Sequence, residues 1–202
     1  MTAKEYASLY RDHLLEDIVP FWIRHSGDYE QGGYFTCLDT EGKVYDTDKF
    51  MWLQCRQVWC FSMLYNKVER KQEWLDFAQH GADFVLRHGR DKEGNWYFSL
   101  DRDGRPLVQP YNIFSDCFAT MAFGQLWLAT GNSEYAEVAR NTFYNILRRS
   151  ENPKGVYSKQ VSGTRSLAGF SLPMILCNLV MEIEALLPSD LFRQTIDQGI
   201  DA

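Results

Sequence analysis

The chain has 202 residues, of which 45% are apolar and 15% aromatic, and its formal net charge is −6. This length is enough for one buried core, and the acidic balance argues against a general nucleic-acid-binding surface. No apolar run reaches the roughly 18–20 residues that span a bilayer, and residues 1–6 lack the apolar core of a signal peptide, so we expect neither membrane insertion nor export.

The cysteines indicate the cellular compartment of the protein. They are odd in number and mostly lie in apolar contexts: Cys37, Cys55, Cys60, Cys117 and Cys177. Buried, reduced thiols are typical of cytoplasmic proteins, so we predict a cytoplasmic location. The spacing of Cys55 and Cys60 matches no metal-binding motif, and no metal site is predicted.

The first part of the chain predicts an outer helix, a hairpin and an inner helix. Thr2 can cap a surface helix over residues 4–18. Two short apolar runs flank Thr-Glu-Gly within residues 32–45, which predicts a β-hairpin. Residues 50–66 are apolar on nearly every side, a pattern typical of a helix inside a protein. Residues 72–88 then predict a charged, amphipathic outer helix.

This order of elements recurs along the chain. It predicts a hairpin at 96–108, an apolar helix at 113–130, an outer helix at 134–149, a hairpin-like turn at 156–165 and an apolar helix at 171–187. Two sets of residues recur at intervals of about 60 residues: the tyrosines Tyr34, Tyr97 and Tyr157, and the glycines Gly42, Gly104 and Gly163. Self-similarity at a fixed period is typical of a repeat architecture.

Stacking these units would place the inner helices in a ring, with the hairpins over one mouth. This is an all-α fold of the (α/α)6 barrel type, in which six units normally close the ring, whereas this chain holds about three. An open half-barrel would leave apolar faces of its inner helices unpaired. We therefore predict that residues 1–202 are a single N-terminal portion of a longer barrel, or a product that pairs with another half.

Arg56 is the single charge of the 50–66 helix. An unpaired guanidinium inside a protein costs several kcal/mol, so Arg56 needs a partner, a ligand or a wet cavity. Two interpretations remain open: an internal ion pair, and a cation that faces a functional cavity.

Five segments resemble the N-acylglucosamine 2-epimerase family, in the right order and across most of the chain. They are Gly-Gly-Tyr-Phe-Thr-Cys-Leu-Asp from Gly32, Asp-Lys-Phe-Met-Trp-Leu-Gln-Cys-Arg-Gln-Val-Trp from Asp48, Tyr-Asn-Ile-Phe-Ser-Asp-Cys-Phe from Tyr111, Asn-Pro-Lys-Gly from Asn152 and Leu-Pro-Met-Ile-Leu-Cys-Asn-Leu from Leu172. The likeness is closer to the N-acetylglucosamine epimerases than to the cellobiose epimerases.

The resemblance implies an (α/α)6 barrel that interconverts N-acetylglucosamine and N-acetylmannosamine. A proton leaves C2 of the open-chain sugar and returns to the opposite face, which takes two acid/base groups. Arg56 matches the family's active-site arginine and would stabilise the enolate oxygen. The resemblance implies no required cofactor, an amino-sugar substrate and a homodimer for the full-length protein.

The catalytic histidines of the family lie in its C-terminal half. The four histidines of this chain are predicted to be ordinary surface residues: His13, His25, His80 and His88. The 202-residue chain alone is therefore expected to be inactive as an epimerase.

Several other residues are candidates for substrate binding. Tyr111, Asn112 and Phe114 precede the second inner helix and either bind the sugar or pack the hairpin on the helix. Trp52 either stacks on sugar or packs in the core with Trp59.

For two polar residues of the inner helices, the sequence leaves more than one contact open. Asp116 is expected to contact substrate, to pair with Arg56 or to cap backbone groups. Asn178, in an apolar helix, must find a hydrogen bond from substrate or from a neighbouring helix.

A basic run follows the third outer helix. Its cations include Lys154, Lys159 and Arg165. Family members often use ATP as an allosteric activator, and this loop either holds the phosphates or is simply solvated. It lacks the glycine spacing of a P-loop.

Two further functions compete with the epimerase hypothesis. An (α/α)6 glycoside hydrolase would use paired carboxylates, for example Asp48 and Asp116. A non-catalytic half-barrel would bind sugar or a partner without chemistry.

Overall fold

The computed structural model describes residues 1–150 and 169–202. The helices in this part of the chain are α1 (Ala3–His13), α2 (Val19–Ser26), α3 (Met51–Lys67), α4 (Gln72–His88), α5 (Phe114–Thr130), α6 (Ser133–Arg149), α7 (Ser171–Glu182) and α8 (Ser189–Ile200). A π-helical segment, Leu14–Ile18, joins α1 to α2, and a 3-10 turn, Glu184–Leu186, follows α7.

Five short strands lie between the helices. β1 (Cys37–Leu38) and β2 (Val44–Asp46) form one antiparallel hairpin. β3 (Lys49–Phe50), β4 (Ser99–Leu100) and β5 (Pro106–Val108) form an antiparallel sheet in the order β3-β4-β5. Because β3 runs directly into α3, and β5 shortly precedes α5, the strands sit at the amino ends of these helices.

The helices alternate between inner and outer positions. α3 packs against α4 and α5, α5 packs against α6 and α7, and α7 packs against α8. The buried stripe of α4 and the cap at Thr2 follow the predictions, with Thr2 Oγ1 accepting from the Glu5 amide. The predicted series of helical units is confirmed within the described residues, and the fold is that of the (α/α)6 barrels.

Two helix boundaries differ from the sequence prediction. The first helix continues past residue 18 to Ser26, because the π-helical segment adds a residue to one turn and Pro20 falls in the first turn of α2, where proline is tolerated. The third inner helix ends at Glu182 instead of 187. The third predicted hairpin, at 156–165, lies outside the described residues.

The repeat is visible in the hairpin turns. Gly42 and Gly104 have φ of +85° and +88°, and a Cβ at either would clash with an imidazole ring, His25 in the first unit and His88 in the second. Each turn is closed by a bond from the glycine amide to an aspartate carbonyl three residues earlier. The two turns are therefore structural equivalents.

The tyrosine equivalence needs a correction. Tyr34 forms an isolated bridge with Gly27, and the matching bridge of the second unit joins Trp96, not Tyr97, to Arg90. Tyr34 and Trp96 are both fully buried, and both donate to the following outer helix. A large, buried aromatic ring therefore occupies this position in both units.

All five cysteines are free thiols. No helix in residues 1–150 or 169–202 is long and apolar enough to cross a membrane.

A buried ammonium group ties the two hairpin units together. Lys49 is 0% exposed, and its Nζ donates to Asp28 Oδ2 at 3.0 Å, Gly32 O at 2.6 Å and Arg102 O at 3.0 Å. Arg102 also donates to both oxygens of the Asp28 carboxylate. Burial opposes ionisation of Asp28, but the bonds from Arg102 and Lys49 outweigh it and hold the pKa of this carboxyl well below its usual range.

We expect Lys49→Met to lower the free energy of unfolding by about 3 kcal/mol, because it removes one partner of a buried ion pair. Urea unfolding followed by circular dichroism measures this. The matched control is Lys71→Met, which removes an exposed pair with Glu69 and should cost less than about 1 kcal/mol. Equal effects of the two substitutions would show that the Lys49 cluster does not stabilise the fold.

Candidate active site

The site is built around Arg56, at the mouth between α3 and α5. Arg56 is exposed, and its guanidinium carbon lies 5.7 Å from the centre of the Trp52 ring and 5.0 Å from that of the Phe118 ring. Trp52 lies one turn before Arg56 on α3, and Phe118 comes from the facing helix α5. Arg56 makes no ion pair within residues 1–150 and 169–202. The guanidinium is therefore stabilised by cation–π contacts with the two rings, and its charge remains available to a ligand.

A cavity of about 290 Å³ adjoins these rings under the second hairpin. It is lined by Trp52, Phe98, Asn112, Phe114, Ser115 and Phe118. The structure thus brings together three of the predicted substrate-binding residues, Trp52, Asn112 and Phe114. The ring of Tyr111, a fourth, packs at 5.0 Å against that of Phe98, a wall of the cavity.

Asn112 is positioned by the start of α5. Its Oδ1 accepts a hydrogen bond from the Phe114 amide at 2.9 Å, which satisfies one of the unpaired amides of the first turn. The same residue lines the cavity. Within the described part of the chain, its Nδ2 donates to no acceptor.

A second, apolar groove of about 290 Å³ has Arg56 in its own lining. It runs between α2 and α3, and Trp22, Leu53, Cys60 and Phe61 contribute to its walls. Arg56 therefore lines this groove and adjoins the first cavity through the rings of Trp52 and Phe118.

Asp116 faces away from this site. Its side chain is 0% exposed, and Oδ1 accepts from Arg149 of α6 at 3.1 Å. Successive residues of an α-helix are rotated by about 100°, so Asp116 and Phe118 point to nearly opposite sides of α5. Of the open alternatives, the structure places Asp116 in an ion pair with Arg149, not with Arg56.

Burial raises the pKa of Asp116 to about 7, although Arg149 lowers it in part. The Oδ2 atom is buried and, among the described residues, accepts no hydrogen bond. The carboxylate is therefore only partly compensated.

Asn178 lies on α7, away from the cavity lining. It is exposed, and its Nδ2 is 3.6 Å from the Met121 sulfur of α5. The contact observed is thus with a neighbouring helix. The three residues proposed for a nucleotide effector, Lys154, Lys159 and Arg165, lie outside the described residues.

The histidines do not line the cavity of the described chain. His80 Nε2 lies 3.0 Å from Gly33 O, His25 and His88 pack on the turn glycines, and His13 is exposed on α1. These positions suit structural or surface roles.

Several residues near the inner helices were not predicted from the sequence, among them Phe98, Phe118 and Glu182. Phe98 and Phe118 line the cavity, and Glu182 Oε2 accepts from Trp59 Nε1 at 3.3 Å and Gln125 Nε2 at 2.7 Å. Glu182 thereby joins α3, α5 and α7. The sequence offered a signal for two of them, since Phe118 follows Phe114, and Glu182 follows Asn178, by four residues on an inner helix.

Comparisons with known proteins agree with the fold. Residues 33–201 match the sequence model of the N-acylglucosamine 2-epimerase (GlcNAc 2-epimerase) family. The N-acylglucosamine 2-epimerase of Bos taurus is 41% identical over 174 residues, which are 84% of this chain and 41% of the bovine protein. The cellobiose 2-epimerase of Dictyoglomus turgidum is 29% identical over 158 residues, 77% of this chain and 40% of that protein.

A solved structure, the cellobiose 2-epimerase of Spirochaeta thermophila, superposes with a TM-score of 0.82 at 18% identity. The superposition covers 98% of this chain and 53% of the Spirochaeta thermophila chain. This likeness shows the fold, and the sequence matches show that the chain is similar to sugar 2-epimerases.

The chain belongs to the N-acylglucosamine 2-epimerase family. The resemblance seen in its motifs is confirmed, including the closer match to the N-acylglucosamine enzymes than to the cellobiose enzymes. The chain spans less than half the length of these curated relatives.

The buried Asp116 predicts an unusual pH dependence of stability. Its pKa in the folded chain, about 7, lies above the usual value of about 3.9, so the folded state binds this proton more tightly. The resulting stability is fully present below about pH 4 and is lost as the pH rises through about 7. We expect Asp116→Asn, which mimics the protonated group, to gain stability relative to the wild type between about pH 5 and pH 7.5.

Urea unfolding of the wild type and of Asp116→Asn at about pH 5 and pH 7.5 measures the free energy of unfolding. The advantage of Asp116→Asn over the wild type should grow by at least about 1 kcal/mol between these pH values. Other titrating groups cancel in the comparison because both proteins share them. A difference between the two proteins that stays constant with pH would contradict the raised pKa.

Proposed function

We propose that this chain is the N-terminal half of an N-acylglucosamine 2-epimerase, which interconverts N-acetylglucosamine and N-acetylmannosamine. The observation that carries the proposal is Arg56, exposed over two aromatic rings at the mouth, in a chain of this family. Its charge is not consumed by an ion pair within the described residues.

The guanidinium suits the developing charge of the reaction. Removal of the proton at C2 leaves an enolate, whose negative charge gathers on the oxygen at C1. A guanidinium stays protonated at all relevant pH values and presents several N–H donors. Trp52 and Phe118 restrict its movement, so little reorganisation is needed when the oxygen becomes charged.

The acid/base pair is proposed to come from the rest of the barrel. The cavity lining in the described residues contains no histidine or carboxylate. Two such groups must stand on opposite faces of C2, and the relatives are more than twice the matched length. The chain alone is therefore proposed to be inactive.

Other features of the whole protein remain proposals of the same kind. The reaction needs no cofactor. ATP as an activator at Lys154, Lys159 and Arg165, a homodimer and a cytoplasmic location all follow from the resemblance or the composition.

A glycoside hydrolase is less well supported. It would need two carboxylates facing one cavity, and Asp116 is instead buried against Arg149 between α5 and α6. A sugar-binding half-barrel without chemistry would use the same site, and only an activity assay separates it from the epimerase.

We expect this chain, mixed with a separately produced C-terminal half of the bovine relative, to exchange deuterium from the solvent into C2 of N-acetylmannosamine. Proton NMR in D₂O measures this step directly. Arg56→Met should lower the rate by about a hundredfold or more, because the enolate oxygen loses its cation. The matched control is Arg70→Met, an exposed cation beyond the end of α3.

The two halves of the bovine protein, mixed in the same way, show whether reassembly works. If they regain activity and this chain does not replace the bovine N-terminal half, the epimerase proposal is wrong. Equal activity of wild type and Arg56→Met would contradict the role given to Arg56.

A further inference from the structure

The cavity beside Arg56 has no histidine or carboxylate for the proton transfer among its lining residues in the described part of the chain. In a 2-acylamino sugar, however, C2 is bonded directly to C1 and carries the acylamino group. If Arg56 binds the oxygen at C1, the acyl group must lie within a few bond lengths of the guanidinium. The question is which surface next to Arg56 receives it.

Two walls of the 290 Å³ cavity are also the rings that hold the guanidinium. Trp52 and Phe118 lie at 5.7 and 5.0 Å from the Arg56 guanidinium carbon, and both line the cavity. A sugar with its C1 oxygen on Arg56 therefore has this cavity within reach of its C2 substituent. At about 290 Å³, the cavity is at the lower end of the range for small-molecule sites.

The chemistry of the lining matches an acylamino group. The alkyl end of such a group is apolar, and Trp52, Phe98, Phe114 and Phe118 provide aromatic walls. Its carbonyl oxygen needs a donor, since an unpaired carbonyl in a dry site costs free energy. Asn112 supplies an N–H: its Oδ1 is used by the Phe114 amide, and its Nδ2 is unused among the described residues.

We propose that this cavity is the subsite for the N-acyl group, with the Asn112 amide donating to the acyl carbonyl and the four aromatic rings enclosing the alkyl end. The inference rests on the proposed function, since it takes the C1 oxygen to lie on Arg56. It makes Asn112 a specificity-determining residue that distinguishes 2-acylamino sugars from sugars with a hydroxyl at C2.

The test compares two ligands on the full 202-residue chain. Isothermal titration calorimetry gives the Kd of N-acetylmannosamine and of mannose, which differ in the acylamino group. We expect the wild type to bind the N-acetyl sugar at least about tenfold more tightly. Asn112→Asp keeps the Oδ1 acceptor for the Phe114 amide and removes the N–H donor, so it should bring the ratio of the two Kd values close to one.

A matched control is Asn132→Asp. Asn132 makes the same capping bond, from Oδ1 to the Glu134 amide at 3.0 Å, at the exposed start of α6. The Asn132→Asp substitution should change neither the Kd of N-acetylmannosamine nor that of mannose. Circular dichroism of both variants shows whether the helices are retained.

The possible outcomes distinguish the proposed N-acyl subsite from the sugar site at Arg56 on which it rests. Equal binding of both sugars by the wild type, or loss of both sugars in Asn112→Asp, would overturn the subsite and leave sugar binding at Arg56 intact. Failure of the wild type to bind either sugar would overturn the subsite and remove the support for a sugar site on this chain. A preference lost only in Asn112→Asp supports the inference.

Discussion

The structure depends on one buried charge. The ammonium of Lys49 is excluded from water and must therefore have its donors satisfied, which Asp28, Gly32 and Arg102 do. These three groups come from the loop after α2 and from the second hairpin, so the requirement of a single side chain fixes that loop and that hairpin relative to the start of α3. Because α3 begins two residues after Lys49, the cluster also sets the position of Trp52 and Arg56 at the mouth.

The inner helices sort their polar groups between two faces. On α5, Asp116 points outward to Arg149 of α6, whereas Phe118 points toward Arg56 of α3. The outward charge is paired and buried, and the inward charge is exposed and stacked on rings. This division leaves the mouth with a cation, an amide donor and aromatic walls, the combination on which the proposed sugar site rests.

The sequence predicted the helices well because their apolar patterns are strong and local. It identified Arg56 from the rarity of a charge on an apolar helix. It did not reveal the direction of Asp116, since α5 is apolar on all sides and no face stands out. The Lys49 cluster was also missed, because Asp28 and Arg102 lie far from Lys49 in sequence. Trp96 was not predicted as the equivalent of Tyr34, because the adjacent Tyr97 is an identical residue type at nearly the same interval.

The most direct test of the site at the mouth uses the indole signals of the six tryptophans in a ¹H–¹⁵N NMR spectrum. Titration of the chain with N-acetylmannosamine should shift the signal of Trp52, identified from its loss in Trp52→Phe. The signals of Trp74, buried on outer helix α4, and of Trp96, which donates to Thr142 of α6, should stay in place. A Trp52 signal that does not move at the highest sugar concentration, or that moves less than those of Trp74 and Trp96, would contradict the account.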